Sequence, residues 1–279
     1  MSIPAPGEES LLLPTGGNVY IVADAITGRP LLDLLSPVDL NHPDIASMID
    51  RTDTMAAALY PASSDRNFFL AALGTFPGTS ANFSFLFSRG WRRQSSAGSG
   101  SYWFSREENI AISLSSNLIR VSNTDPIANF QTERPPPGLA EFGRGMPLIG
   151  WMPSPADFLN GFFTFLGIPI QIPAEEFFFS ASQPWPDEDE YWELLFRIKT
   201  PSELHARSIL ALFTVARLAV FQGMVPSEDF ISGISINPRE FASLLLANLP
   251  ERDVDILLLR TNPMTARQMA LLFNMFTLY

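Results

Sequence analysis

Residues 175–199 read EEFFFSASQPWPDEDEYWELLFRIK, and the reading of this stretch decides the fold. Its two ends, EEFFFSAS (175–182) and YWELLFRIK (191–199), are rich in aromatic and branched residues and read as two strands. Pro184, Pro186 and four successive acids separate them, so the pair reads as a hairpin. Working outward, residues 147–152 give a strand and 155–166 a helix. Beyond the hairpin come a long helix over 201–222 and a returning strand over 230–236. That order is β-α-β-β-α-β, extended by α-β-α at 238–247, 254–259 and 263–276.

The preceding half repeats the order. Residues 18–23 (NVYIVA) read as a strand, 29–35 and 43–50 as short helices, 54–60 and 67–76 as strands, and 77–90 as a helix. A meander over 102–105, 109–115 and 117–122 follows. Between the halves, residues 123–145 hold Pro126, Pro135, Pro136, Pro137, Gly138, Gly143 and Gly145 without an apolar period, which suits a stiff spacer pinned by Phe130 and Phe142. The expected architecture is α+β: two tandem ferredoxin-like domains with mainly antiparallel sheets, the second carrying the C-terminal α-β-α. Residues 1–16 form an N-terminal extension, 17–124 the first domain, 125–145 the linker and 146–279 the second domain.

Four predicted helix starts share one chemistry. Ser154-Pro155, Thr200-Pro201, Asn237-Pro238 and Asn262-Pro263 each set a capping side chain before a proline, which has no N–H to leave unpaired. Asp157, Glu203 and Glu240 add the acid of a capping box to three of them. In helix 201–222 the polar residues Glu203, Arg207, Thr214 and Arg217 fall on one narrow stripe and nearly all others are apolar. Such a helix must be covered on more than one side, by the C-terminal extension, the other domain or a partner.

Composition excludes more than it selects. The 279 residues are 46% hydrophobic and only 17% charged, with 23 Phe, 2 His, no Cys and a net charge of -11. These values exclude disorder, a disulfide scaffold, thiol chemistry, cysteine metal sites and a basic nucleic-acid binder. Lys199 is the sole lysine among 18 bases. No apolar run, including 158–170 and 209–221, is long enough to span a bilayer as a helix. Residues 1–10 hold two Glu and no base, unlike a signal peptide. A cytosolic protein or the mature part of an exported one both fit.

Candidate sites are few. Trp185, Tyr191 and Trp192 flank the acids Asp187, Glu188, Asp189 and Glu190, and together read as a recognition patch with an acidic rim, or in part as core. The acids lack the spacing of a calcium loop and suit a solvated hairpin tip. Arg89, Arg92 and Arg93 around Trp91 are the one basic cluster, either an anion contact or favourable charge at a helix C-terminus. His205 in the first turn of helix 201–222 is a candidate general base, with a capped structural histidine as the alternative, and His42 reads as a loop residue. Residues 74–80 (GTFPGTS) lack the ending of a phosphate loop. The Phe clusters 177–179 and Phe158, Phe162, Phe163 and Phe165 fill a core or line a pocket for an apolar ligand.

The stretches MAAALYP (55–61) and NFFLAALG (67–74), followed by helix and meander, resemble repeats in uncharacterised bacterial cell-envelope proteins. The resemblance implies an exported, lipoprotein-type or periplasmic location and a non-catalytic role. The expected function is therefore a non-enzymatic interaction or structural module without cofactor or metal, acting on an unidentified protein partner. The alternatives are a carrier for a small apolar molecule such as a lipid and, third, a weak hydrolase using His205.

Overall fold

The computed structural model describes residues 13–29, 50–61, 64–77, 85, 90–96, 100–165, 171–184, 191–222, 229–231, 234–236, 243–244, 248, 250–265 and 268–269. The chain divides into two compact units, Met1–Gly150 and Trp151–Tyr279.

In the first unit lie strands β1 (Val19–Asp24), β2 (Thr52–Leu59), β3 (Phe68–Gly74), β4 (Trp91–Ser95), β5 (Ser101–Ser105), β6 (Ile110–Leu114) and β7 (Leu118–Ser122), and a single-turn helix α1 (Leu139–Phe142). They are ordered β1-β2-β3-β7-β6-β5-β4, each pair antiparallel. Strand alternation sorts their side chains: Thr52, Thr54, Ala56 and Ala58 of β2 point to one face and are buried there. Across that face the register aligns Val22 with Ala56, Ala56 with Ala71, Ala71 with Arg120 and Arg120 with Ser113. The Pro/Gly-rich residues 125–145 lie in the first unit. Phe130 packs edge-on against Phe69 at 5.4 Å, and Leu139 is fully buried. The same stretch pairs with residues 13–15, the Thr15 N–H donating to the Gln131 carbonyl and the Glu133 N–H to that of Leu13.

Strand β8 (Leu148–Met152) crosses the division between the units and is buried along its whole length. The second unit continues with α2 (Pro155–Phe165), β9 (Glu176–Ser182), β10 (Tyr191–Lys199), α3 (Glu203–Phe221), β11 (Asp229–Ile231), β12 (Ile234–Ile236), β13 (Glu251–Asp253), β14 (Ile256–Arg260) and β15 (Met264–Thr265). β9 and β10 form the hairpin, with Phe177 opposite Ile198, Phe179 opposite Phe196 and Ala181 opposite Leu194. β14 adds Leu257 and Leu259 beside Ile198 and Phe196. All eight of these side chains are buried on one face, and the Phe177 and Phe196 ring centroids lie 5.5 Å apart. The opposite face of β9 carries Phe178, under the Arg197 guanidinium at 5.1 Å, and the Glu176–Arg197 ion pair.

This architecture overturns the two tandem ferredoxin-like domains expected from the sequence. Thirteen of the fifteen described strands belong to one antiparallel sheet, with few helices, and β11 and β12 form a separate pair. A ferredoxin-like unit needs its first and third strands parallel and adjacent across a helical crossover. Here β1 takes β2 as its antiparallel neighbour, and β3 lies between β2 and β7. Three further readings change. Residues 230–236 are not one returning strand, because Ile231 pairs with Ile234 and the segment folds on itself. Residues 91–95, read as the margin of a helix, are strand β4. Asn262-Pro263 precedes strand β15, not a helix. Of the helices expected at 29–35, 43–50, 77–90, 238–247 and 263–276, residues 30–35, 43–49, 78–84, 86–89, 238–242, 245–247, 266–267 and 270–276 fall outside the described residues.

Candidate functional site

The second unit's long helix carries the most distinctive surface among the described residues. Its start is set by Ser202: the His205 N–H donates to Ser202 Oγ at 3.4 Å, and His205 Nδ1 lies 2.8 Å from the same oxygen. The cap is therefore two residues later than the Thr200-Pro201 pair predicted. Thr200 Oγ1 instead lies 2.9 Å from the Ser202 and Asp255 carbonyls. From that start, Ala206, Ile209, Phe213 and Ala216 recur every three or four residues and are buried. On another side Leu204, Leu212, Val215 and Leu218 stay exposed, four of the six exposed large apolar side chains among the described residues. Leu204, Val215 and Leu218 keep 72%, 63% and 55% of their surface.

With Ser208 and Ala211, both exposed, these residues form the series 204, 208, 211, 215, 218, the four-three spacing of a helix–helix seam. The one hydroxyl in the series is turned inward, Ser208 Oγ donating to the Leu204 carbonyl at 2.9 Å. What the seam presents is thus almost wholly apolar. Beside it, Glu203 accepts from Arg207 at 2.6 Å and from Arg252 at 3.0 Å, tying the helix start to β13. The Arg207 and then the Arg252 hydrogen bond hold the Glu203 carboxyl below its ordinary pKa.

The residues singled out from the sequence are not gathered into one site. Trp185, Asp187, Glu188, Asp189 and Arg89 lie outside the described residues. Tyr191 and Trp192 are on β10 opposite Thr265 and Met264. Tyr191 is half-buried, whereas Trp192 is fully buried and belongs to the core. Trp91, Arg92 and Arg93 follow one another along β4, so Trp91 and Arg93 share one face and Arg92 takes the other. The two arginines therefore leave the strand on opposite faces. Arg93 Nε donates to Ser101 Oγ at 2.8 Å, and Trp91 packs edge-on against Phe85 at 4.8 Å. No group of three metal-ligating side chains occurs among the described residues. Nor do they include a helix long and apolar enough to cross a membrane.

Two arrangements in the first unit escaped the sequence. The Arg66 guanidinium lies 5.5–5.6 Å from the ring centroids of Tyr60, Phe69 and Phe130, and its Nε donates to Thr124 Oγ1 at 3.2 Å. Nearby, the Tyr20 and Tyr60 hydroxyls both donate to the Pro14 carbonyl, at 3.0 and 2.9 Å. Tyr20 Oη also accepts the Gly17 N–H at 2.8 Å. Burial pushes both phenols above their ordinary pKa. These residues are scattered over more than 100 positions, and no spacing along the chain announces them.

No family model matches the chain, and no curated protein matches its sequence. Among solved structures it is similar to TP0453. Crystal form I superposes with a TM-score of 0.60 at 15% identity, over 95% of this chain and 96% of that one. Form III gives 0.53 at 14% identity, over 94% and 96%. Form IV gives 0.53 at 13%, over 98% and 97%. At these identities the likeness is one of fold.

Proposed function

We propose that this chain is a non-enzymatic protein-interaction module of the bacterial cell envelope, and that the outward seam of α3 receives the apolar face of a partner helix. The observation that carries the reading is the seam itself. Leu204, Val215 and Leu218 are exposed at helix-pairing spacing on an element whose other side is already buried. Contiguous apolar surface of this kind is retained at interaction sites, because leaving it in water costs about 25 cal/mol per Å². The envelope location rests on the resemblance carried by residues 55–61 and 67–74.

The other readings have no such observation behind them. The Phe177 and Phe179 side chains are buried on the hairpin's core face, and Phe178 is buried on the other face under Arg197. His205 uses its amide and Nδ1 on the Ser202 hydroxyl that caps its helix.

The test replaces Val215 and Leu218 together by Glu. Both are exposed, so the melting temperature should hold, the change staying within roughly 0.5 kcal/mol per site. Cross-linking in the native host followed by mass spectrometry should then lose one protein captured by the wild type. An unchanged set of captured proteins refutes the seam, and recovery of the chain in the cytosolic fraction refutes the location.

A further inference from the structure

Among the described residues, two other than glycine have a positive φ, Asn109 at 51° and Val254 at 52°. Asparagine tolerates that region, whereas a β-branched side chain there is a genuine outlier under backbone strain. Val254 and Asp255 form the two-residue loop between β13 and β14, where Asp253 pairs with Ile256. With φ positive at its first residue and not its second, such a loop asks for glycine at 254.

The strain persists because both loop carbonyls are tied down. Arg252 Nη1 donates to the Val254 carbonyl at 3.1 Å and to Glu203 at 3.0 Å. The Thr200 N–H donates to the Asp255 carbonyl at 2.9 Å. Both anchors lie at the start of α3, so the loop stands at the Leu204 end of the exposed seam. None of these bonds uses the Val254 side chain, which stays 60% exposed. Glycine would keep every bond and remove the strain, so the two methyls serve no contact within the folded chain. Strained residues that their surroundings over-determine cluster where a protein clamps a ligand. Val254 also joins Leu204, Leu212, Val215 and Leu218 as the fifth exposed large apolar side chain described in this unit.

We propose that Val254 is a contact residue for the partner helix, engaging it at the end of the seam where Leu204 stands. The inference rests on the reading of the α3 seam as a helix-docking surface and extends that surface to the β13–β14 loop. Positions 204–218 span about 21 Å along α3. A helix that covers them and meets Val254 therefore has at least roughly four turns, with an apolar residue at the end over the start of α3. Around that end Glu203, Arg207 and Arg252 supply the polar rim that surrounds a buried apolar contact.

The test uses full-length protein and, as probe, the purified protein whose cross-linking is abolished by Val215→Glu with Leu218→Glu. Wild type, Val254→Gly and Val254→Ile are each melted and titrated with that probe by calorimetry. Val254→Gly should raise the melting temperature by about 2–4 °C, because the strain is gone. It should also weaken binding about tenfold, because the apolar contact is gone. Val254→Ile keeps both the strain and a branched apolar side chain, and should match the wild type in both measurements. An unchanged Kd in Val254→Gly overturns the contact and leaves the seam standing, since the seam alone defines the probe. A lower melting temperature in Val254→Gly shows that the fold itself uses the valine, and overturns the proposal. Equal weakening in Val254→Ile traces the loss to the backbone and overturns it too. Should the paired Glu substitutions abolish no cross-link, the seam and the contact fall together.

Discussion

Two phenol hydroxyls meet on the Pro14 carbonyl and fix residues 13–18 against the first unit's sheet. Tyr20→Phe removes that bond and leaves the Gly17 N–H without its acceptor, so it should cost about 1–3 kcal/mol in urea unfolding. Both phenols ionise above their ordinary value in the folded protein, mainly because burial disfavours the phenolate. Their contribution is complete below the unfolded value of about 10 and is lost as pH rises through the folded values. The urea midpoint of the wild type should thus fall above pH ~10, and that of Tyr20→Phe more shallowly; parallel curves refute the linkage. Trp192 gives a second residue-scale case. It is fully buried, yet its Nε1 has no hydrogen-bond partner. Trp192→Ala should cost about 3–5 kcal/mol, and Trp192→Phe less, since it also deletes a donor worth about 1–3 kcal/mol unpaired. Equal losses in the two variants would show that the N–H is satisfied. The burial of Trp192 was legible in YWELLFRIK, where it shares parity with Leu194, Phe196 and Ile198. The neighbouring acids drew the reading toward the surface instead.

At the scale of elements, the helix cap shows how local chemistry can be read correctly in kind and misplaced in position. Thr200, Pro201 and Ser202 offer two hydroxyls beside one proline, and nothing in the triplet says which oxygen faces the helix. Tertiary contact decides: Thr200 Oγ1 is taken by carbonyls of Ser202 and Asp255, which leaves Ser202 for the His205 amide. Ser202→Ala should therefore cost about 1 kcal/mol, and Thr200→Ala should leave the helical circular-dichroism signal of α3 intact. The reverse ranking would restore the predicted cap. Strand β4 was missed for a related reason. Its residues WRRQS have no apolar alternation, and four of the five are exposed. β4 comes last in the order of the described strands, and charged side chains on such a strand disfavour further pairing, so charge there marks a strand margin as readily as a helix end. The exposed seam of α3 was half legible. The narrow polar stripe implied more than one covered side, but only the structure shows which apolar residues stay in water.

For the whole molecule, the strands were legible to within a residue or two in runs such as 19–24 and 191–199, whereas their partners were not. Strand identity depends on side chains near in sequence, but neighbours such as β3 and β7 are chosen across 44 residues by the fit of whole faces. The helices between strands invited a crossover reading that β1 and β2, paired antiparallel, exclude. One global property does follow from composition, and it makes a testable prediction. With 29 acids, 18 bases and a net charge of -11, the folded chain repels itself at neutral pH. Lowering pH toward the pI of 4.6 relieves that repulsion. Against this stands Glu203, whose folded pKa is depressed by Arg207 and Arg252. Its contribution is present above the unfolded value of about 4.5 and is lost as pH falls through the folded one. Both trends turn near the pI, so the melting temperature should rise as pH falls from neutrality and turn over at about pH 4.5–5. Added salt should raise it at pH 8, where repulsion dominates, and do little at the peak, since screening at ~0.15 M acts over about 8 Å. Calorimetry across pH 4–8 at two salt concentrations checks both limbs. A melting temperature that climbs steadily to pH 8, or falls there on adding salt, would show that specific ion pairs outweigh the net charge.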